Sequence, residues 1–352
     1  MQPKTKAITA AVTGSALGAA GLAWLAMPAT AGEAPQLPGI TAEDLVQSVV
    51  TTKTPALAGT VAVENNLGLP VQTLPGGTSL NIDGARVLND GSGNSRVAIE
   101  QGASERTVVH NGNTVWTYNS SSNEATKITV PPEALQKPDE YQLSDPATAA
   151  TQLLAKVRES STVTVEGTAR VAGRPAYELV LTPKPTERTL LREVRVAVDA
   201  EHRVPLRLAV MTYGTADPAF QVAFSDISFT PQPAGEFQFT PPQGARVTEE
   251  QAPTDHPDRS GLANAVQVSG DGWDTVLTGT IPAEALAPQQ GGRGPNANPR
   301  ALLAQFGKPV SGAFGSGYVI TTKVGTALIT DDGRFAAGAV PEQVLVEALG
   351  AK

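Results

Sequence analysis

At 352 residues the chain exceeds a typical single domain, and 40% hydrophobic content with 34 Gly and 28 Pro suits a turn-rich, strand-rich globular protein rather than a disordered one. A formal net charge of −8 argues against the basic surface that phosphate backbones require, so nucleic acid is not an expected partner. With no cysteine there is no disulfide framework, and core packing must hold the fold, which the length permits.

Lys4 and Lys6 precede an apolar, Ala-rich run from Ala7 to Met27, closed by Pro28-Ala29-Thr30-Ala31. That is the order of a positive region, an apolar region and an A-x-A cleavage site, so export with cutting after Ala31 is the favoured reading. The apolar run is roughly 20 residues against the usual ~7–15, which leaves 1–31 as a retained membrane anchor open. The expected location is extracytoplasmic in a bacterium: secreted, or tethered to the outer face of the cytoplasmic membrane.

Thr41-Ala42-Glu43-Asp44 reads as a helix start with Thr41 as N-cap and an acidic residue three positions on. Leu45, Val46, Val49 and Val50 give that helix, Thr41–Lys53, one apolar stripe before Thr54-Pro55 ends it. Ala58–Val63 is a strand, Leu67–Ser79 a Gly/Pro-punctuated loop or loose hairpin, and Arg86–Leu88 a further short strand. Arg96 to Val130 then reads as a four-strand meander. Val97 and Ile99 alternate with polar neighbours, Asn111-Gly112 makes a hairpin turn, Trp116 and Tyr118 share a strand face, and Ile128 and Val130 close the run.

Pro131–Tyr141 is a connection with one helical turn, and Ser144-Asp145-Pro146 opens a second helix lined by Leu153, Leu154 and Val157, ending near Glu159. A second run of strands follows. Val163, Val165, Ala169 and Val171 are expected on one face of the first; Tyr177, Leu179 and Leu181, then Val194, Val196 and Val198, then Leu206, Leu208 and Val210 make the next three. Phe220, Val222 and Phe224 begin another, which Ile227 and Phe229 continue after a break. This alternation means a sheet with one buried face in antiparallel order. Phe237 to Pro242 ends the half, since paired prolines forbid further ladder bonding.

The first domain is therefore expected over 32–248, a polar linker over 249–261, and a small α+β domain over 262–352. In the latter, Val266–Ser269 and Trp273–Gly279 are strands, Gln289–Asn298 is a low-complexity loop, and Ala301–Phe306 is a short helix. Gly317–Thr330 and Arg334–Ala339 pair across Asp331-Asp332-Gly333, and Pro341–Leu349 is a closing helix.

Few residues of the chain form a chemical constellation. His110, His202 and His256 are far apart, no two at a metal-helix spacing, so no metal or other cofactor is expected. There is no nucleophile elbow and no Walker A sequence, and Gly292-Arg293-Gly294 runs into Pro295. Asp331-Asp332 lacks the ligand series of a calcium loop and is better as a turn. A non-enzymatic protein is expected. What remains is apolar surface: the alternating strands outnumber the two covering helices. Either the helices seal an ordinary core, or the sheet curls into an incomplete barrel with a dry cavity for acyl chains.

The pattern from Val108 to Asn119, with Asn111-Gly112-Asn113 before Val115-Trp116-Thr117-Tyr118, resembles the paired strands of LolA, the periplasmic lipoprotein carrier family. Later pieces fall in the same order. These are Asp145-Pro146, Arg174-Pro175-Ala176-Tyr177-Glu178-Leu179, Phe224-Ser225-Asp226-Ile227, and the closing Phe239-Thr240-Pro241-Pro242-Gln243-Gly244-Ala245. The resemblance covers Thr41 to Val247. It implies an α+β fold: a strongly curved antiparallel sheet, an unclosed half β-barrel, with a helical lid and a cavity for acyl chains. The expected lining residues are Val97, Ile99, Trp116, Tyr118, Val163, Val165, Leu179, Leu181, Val196 and Leu208. Period two decides which residues of a strand share a face, not which face is inward. LolA also has an arginine tying barrel to lid; Arg96 is nearest, but its spacing to Gly112 differs, so that role is not transferred. The added C-terminal domain resembles instead the RseB/MucB sigma-factor regulators. The implied partners are lipid or lipoprotein acyl chains, and a membrane anti-sigma factor or a lipoprotein-releasing transporter.

Overall fold

The computed structural model describes residues 35–68, 84–131, 146–251, 266–282 and 299–350. The leader or anchor at 1–31, most of the Leu67–Ser79 loop, the Pro131–Tyr141 connection after Pro131 with Ser144-Asp145, the stretch 252–261 and the Gln289–Asn298 loop lie outside them.

The first helix, α1 (Ala42–Thr51), starts where its cap dictates: Thr41 Oγ1 accepts a hydrogen bond from the Asp44 N–H at 3.0 Å. Its apolar stripe buries Leu45 completely. The second, α2 (Pro146–Ser160), lies against α1 and feeds directly into a strand. Twelve strands form one sheet: β1 (Leu57–Asn65), β2 (Gly84–Asn89), β3 (Ser95–Gln101), β4 (Ser104–Asn111), β5 (Thr114–Asn119), β6 (Glu124–Thr129), β7 (Ser161–Val171), β8 (Arg174–Pro183), β9 (Leu191–Asp199), β10 (Pro205–Thr212), β11 (Phe220–Ser228) and β12 (Arg246–Gln251). Their spatial order is β12-β6-β5-β4-β3-β2-β1-β11-β10-β9-β8-β7, so the two edges do not meet and the curved sheet stays unclosed.

The meander of the sequence is β3 to β6, and Gly112 takes the positive φ, 60°, that its turn needs. Two features of this sheet depart from the sequence reading. The alternation along β7 is interrupted by a bulge between Val165 and Thr168, where Gly167 adopts φ 75°. Val163 and Val165 therefore pack into one core cluster, while Ala169 and Val171 join another. The break expected in β11 is likewise a bulge: Thr60 pairs with Asp226 and Val61 with Phe224, leaving Ser225 extra. Finally, 249–251 are not linker. β12 adds parallel to β6, with Arg246 opposite Glu124 and Gln251 opposite Thr129, so the sheet is antiparallel except for this one pair.

Six further strands, β13 (Val266–Ser269), β14 (Val276–Thr280), β15 (Lys308–Gly312), β16 (Gly315–Thr321), β17 (Thr326–Thr330) and β18 (Arg334–Gly338), make a second sheet in the order β13-β14-β18-β17-β16-β15. Gly317–Thr330 is thus two strands, folded at a turn where Thr322 Oγ1 accepts from the Gly325 N–H at 3.0 Å. β15 was missed from the sequence; it carries Pro309, which an edge position tolerates. β14 starts at Val276, not at Trp273. α3 (Pro299–Phe306) touches β16, and α4 (Glu342–Gly350) covers the other face, burying Leu345 against Leu328, Ala336 and Val340. No helix among the described residues is long and apolar enough to cross a membrane.

Candidate functional site

The two helices lie on the β7–β9 part of the large sheet. Leu45 and Ala42 of α1 and Leu154 of α2 pack on Val163, Tyr177, Leu179 and Val198, with Val165, Leu181 and Val196 at the margin of the same layer. The segment before α1 is pinned over it as well. The Tyr177 hydroxyl donates to the Pro38 carbonyl at 3.1 Å and the Thr168 hydroxyl to that of Pro35 at 2.7 Å. Arg158 pairs with Glu43 across the two helices and draws the Glu43 carboxyl below its ordinary pKa. Five of the ten expected lining residues, Val163, Val165, Leu179, Leu181 and Val196, are thus brought together beneath the helices.

Strand register extends this face around the sheet. Val196 pairs with Leu208, Leu208 with Val222, and Val222 with Val63. Two residues earlier on β1, Val61 pairs with Ala85, and Ala85 with Ile99; Val97 follows on the same face and pairs with Val108. Val97 and Ile99 are half-buried, whereas Leu208 and Val108 are each 40% exposed. The apolar face therefore runs well past the helices that cover it.

Trp116 and Tyr118 are not on it. Trp116 pairs with Val109 and Val109 with Arg96; Tyr118 pairs with Thr107 and Thr107 with Ala98, all on the reverse face. There the closing segment covers the meander. Phe239 lies 5.4 Å from the Trp116 ring and 5.8 Å from the Tyr118 ring, and Phe237 is buried at the end of a 3-10 turn over Ala234–Phe237. Arg96 donates to the Glu236 carbonyl at 3.3 Å, so it ties the sheet to this closing segment and not to α1 or α2. Alternation within one strand could not relate β3 to β5, because that relation depends on two cross-strand registers.

Sequence reasoning also missed the junction with the second sheet. Trp273 donates its indole N–H to Ser161 Oγ at 2.7 Å and its backbone N–H to Glu187 at 2.8 Å. Arg188 makes a two-pronged pair with Glu347, at 2.6 and 3.0 Å, and the Leu190 N–H and Thr189 hydroxyl both donate to the Ala339 carbonyl. Gly272 is held so close that a Cβ there would meet the Glu187 carboxylate and lie 2.9 Å from Ser160 Cβ. Beside these contacts opens a cleft of about 450 Å³, lined by Val157, Leu181 and Leu191 from one side and Trp273, Thr275 and Ala339 from the other. The only clue in the sequence is a lone Gly272-Trp273 in a polar stretch.

Among the described residues no group of three or more His, Cys, Asp or Glu side chains is placed to hold a metal ion. His202 stacks on Phe229 at 3.8 Å and sits beside the buried Asp199, which Arg174 holds through two nitrogens. That cluster closes the β9–β10 hairpin.

Residues 85–251 match the family model of the MucB/RseB N-terminal domain, and the match ends at the last residue of β12. No curated protein matches the chain. Solved structures similar to it include the MucA/MucB complex of Pseudomonas aeruginosa, 14% identical over 88% of this chain and 96% of that one with a TM-score of 0.44. A conserved protein of Thermus thermophilus is 14% identical over 59% and 99% with a TM-score of 0.35. A LolA-superfamily protein of Nitrosomonas europaea is 14% identical over 57% and 99% with a TM-score of 0.24.

Proposed function

We propose, for a chain of LolA-like, MucB/RseB-like arrangement whose residues 85–251 are a MucB/RseB N-terminal-type domain, that it is a non-enzymatic extracytoplasmic binding protein holding acyl chains of a lipid or lipoprotein between its helices and its curved sheet. The observation that carries this reading is the apolar face continuing beyond its cover, through Leu208 to Val97, Ile99 and Val108. A face that served only as core would be expected to turn polar where the helices stop. In this reading the wall is Val97, Ile99, Val163, Val165, Leu179, Leu181, Val196 and Leu208, and Trp116 and Tyr118 stiffen it from behind. Native mass spectrometry of the purified protein is expected to find co-purified lipid, and a hydrophobic dye to bind one saturable site. A lipid-free protein with no saturable dye binding would sink the reading.

A second reading is a regulator that binds the extracytoplasmic segment of a membrane anti-sigma factor. The MucB/RseB identity of the matched model favours it, as does an exposed apolar pair on the second sheet, Val268 (65% exposed) opposite Leu277 (42%). Changing both to Asp is expected to abolish capture of that segment from an anti-sigma factor of the same genome and to leave dye binding unchanged. Undiminished capture would remove the second sheet from this role.

A further inference from the structure

We infer that the cleft between the two sheets is the mouth of the apolar layer beneath the helices, and that a single alkyl chain enters that layer past Trp273. The inference rests on the acyl-chain reading above and adds the route and the contribution of the second domain. Val157 and Leu181 belong to both places: each packs against the core under α1 and α2, and each lines the cleft. Side chains at the edge of the buried layer thus also line an open cleft of about 450 Å³, within the ~300–1,000 Å³ of small-molecule sites.

Elsewhere the margin of the layer is crossed by bonds, over a smaller hollow of about 240 Å³ between α1 and α2 that reaches Leu154. Arg158 and Glu43 join the two helices, and the Thr168 and Tyr177 hydroxyls hold the segment before α1. At the cleft the wall stays apolar through Leu191, Trp273 and Ala339, while Ser160, Ser161, Thr275 and an exposed Lys156–Asp271 pair at 3.7 Å bring polar atoms to it. Apolar surface with a few polar groups accepts an amphiphile of one alkyl chain, and a Trp with one apolar body and one bonded N–H suits such a boundary. The second domain is part of the site in this view: Trp273 is fixed on Ser161 and Glu187, and Gly272 leaves no room for a side chain that would shift it.

The chain has three tryptophans, Trp24, Trp116 and Trp273. A full chain carrying Trp24→Phe and Trp116→Phe leaves Trp273 as the one indole, and 9,10-dibromostearic acid, whose bromines quench indoles at contact, is expected to quench most of its emission saturably. A second chain carrying Trp24→Phe and Trp273→Phe reports from Trp116, which lies under Phe239 on the reverse face and is expected to keep its emission. Displacement of a hydrophobic dye by the same acid measures binding independently in both chains. Saturable displacement with Trp273 unquenched would overturn the mouth and leave the acyl-chain reading intact. Equal quenching of both indoles would mean nonspecific association and overturn the mouth as well. No displacement in either chain would overturn the acyl-chain reading on which this inference stands.

Discussion

Asp199→Asn is expected to lower stability at neutral pH by about 1–3 kcal/mol, because the charge-assisted hydrogen bonds that the buried carboxylate accepts are lost while Arg174 keeps Glu201 at 3.0 Å. Asp199 has no solvent exposure. It accepts hydrogen bonds from Arg174 Nε and Nη2 and from the backbone N–H groups of Glu201, at 3.0 Å, and His202, at 2.6 Å. Burial pushes its carboxyl up, but the Arg174 and His202 hydrogen bonds outweigh that and hold it below the ordinary aspartate value. A carboxyl depressed in the folded state contributes stability that is fully present above its unfolded pKa, near ~4, and is lost as pH falls through the lower folded value. Urea titrations of the native chain at pH 7 and below pH ~4 should therefore differ more than those of the variant. Equal stability of the two chains at pH 7 would show that the cluster contributes nothing net.

Leu45→Ala is expected to remove about 2–5 kcal/mol, the range for truncating a buried leucine whose site collapses only partly. Leu45 is fully buried at the centre of the layer between α1, α2 and β7–β9. The loss should be uneven. Hydrogen exchange is expected to accelerate first over 42–51 and 146–160, since these helices are held by that layer and by few other contacts, while the β8–β10 ladders stay protected. Faster exchange spread evenly over the whole sheet would mean that the helices are not a separate cover.

Much of this was legible in the chain. Thr41 with Asp44 placed the start of α1, and Asn111-Gly112 placed a turn in the meander, because caps and turns are decided by groups within a few residues of one another. The apolar residues at period two in β8, β9 and β10 identified a sheet with a buried face, and the lack of any catalytic constellation directed attention to that face. Where the reading failed, the cause was a partner distant in sequence or a local break in period. Gly167 sits in a stretch that looks like uninterrupted alternation, yet the bulge there sends Ala169 and Val171 to the other side from Val163. β12 is too polar to read as a strand; it forms because β6 offers it an open edge.

The sequence by itself determined the class of the molecule: acidic, free of cysteine, rich in alternating strands, with two helices of one apolar face each. Those properties follow from composition and from spacings of a few residues, so no distant contact is needed to read them. Only the tertiary structure decided that Trp116 and Tyr118 lie on one face of the sheet under Phe239 while Val97 and Ile99 lie on the other, the helices' side, since that assignment passes through the registers β3–β4 and β4–β5. Only it brought Trp273 onto Ser161, 112 residues away, and so made the second sheet a wall of the cleft. A hydrogen bond of that span is set by how the two sheets pack, and no periodicity within either one encodes it.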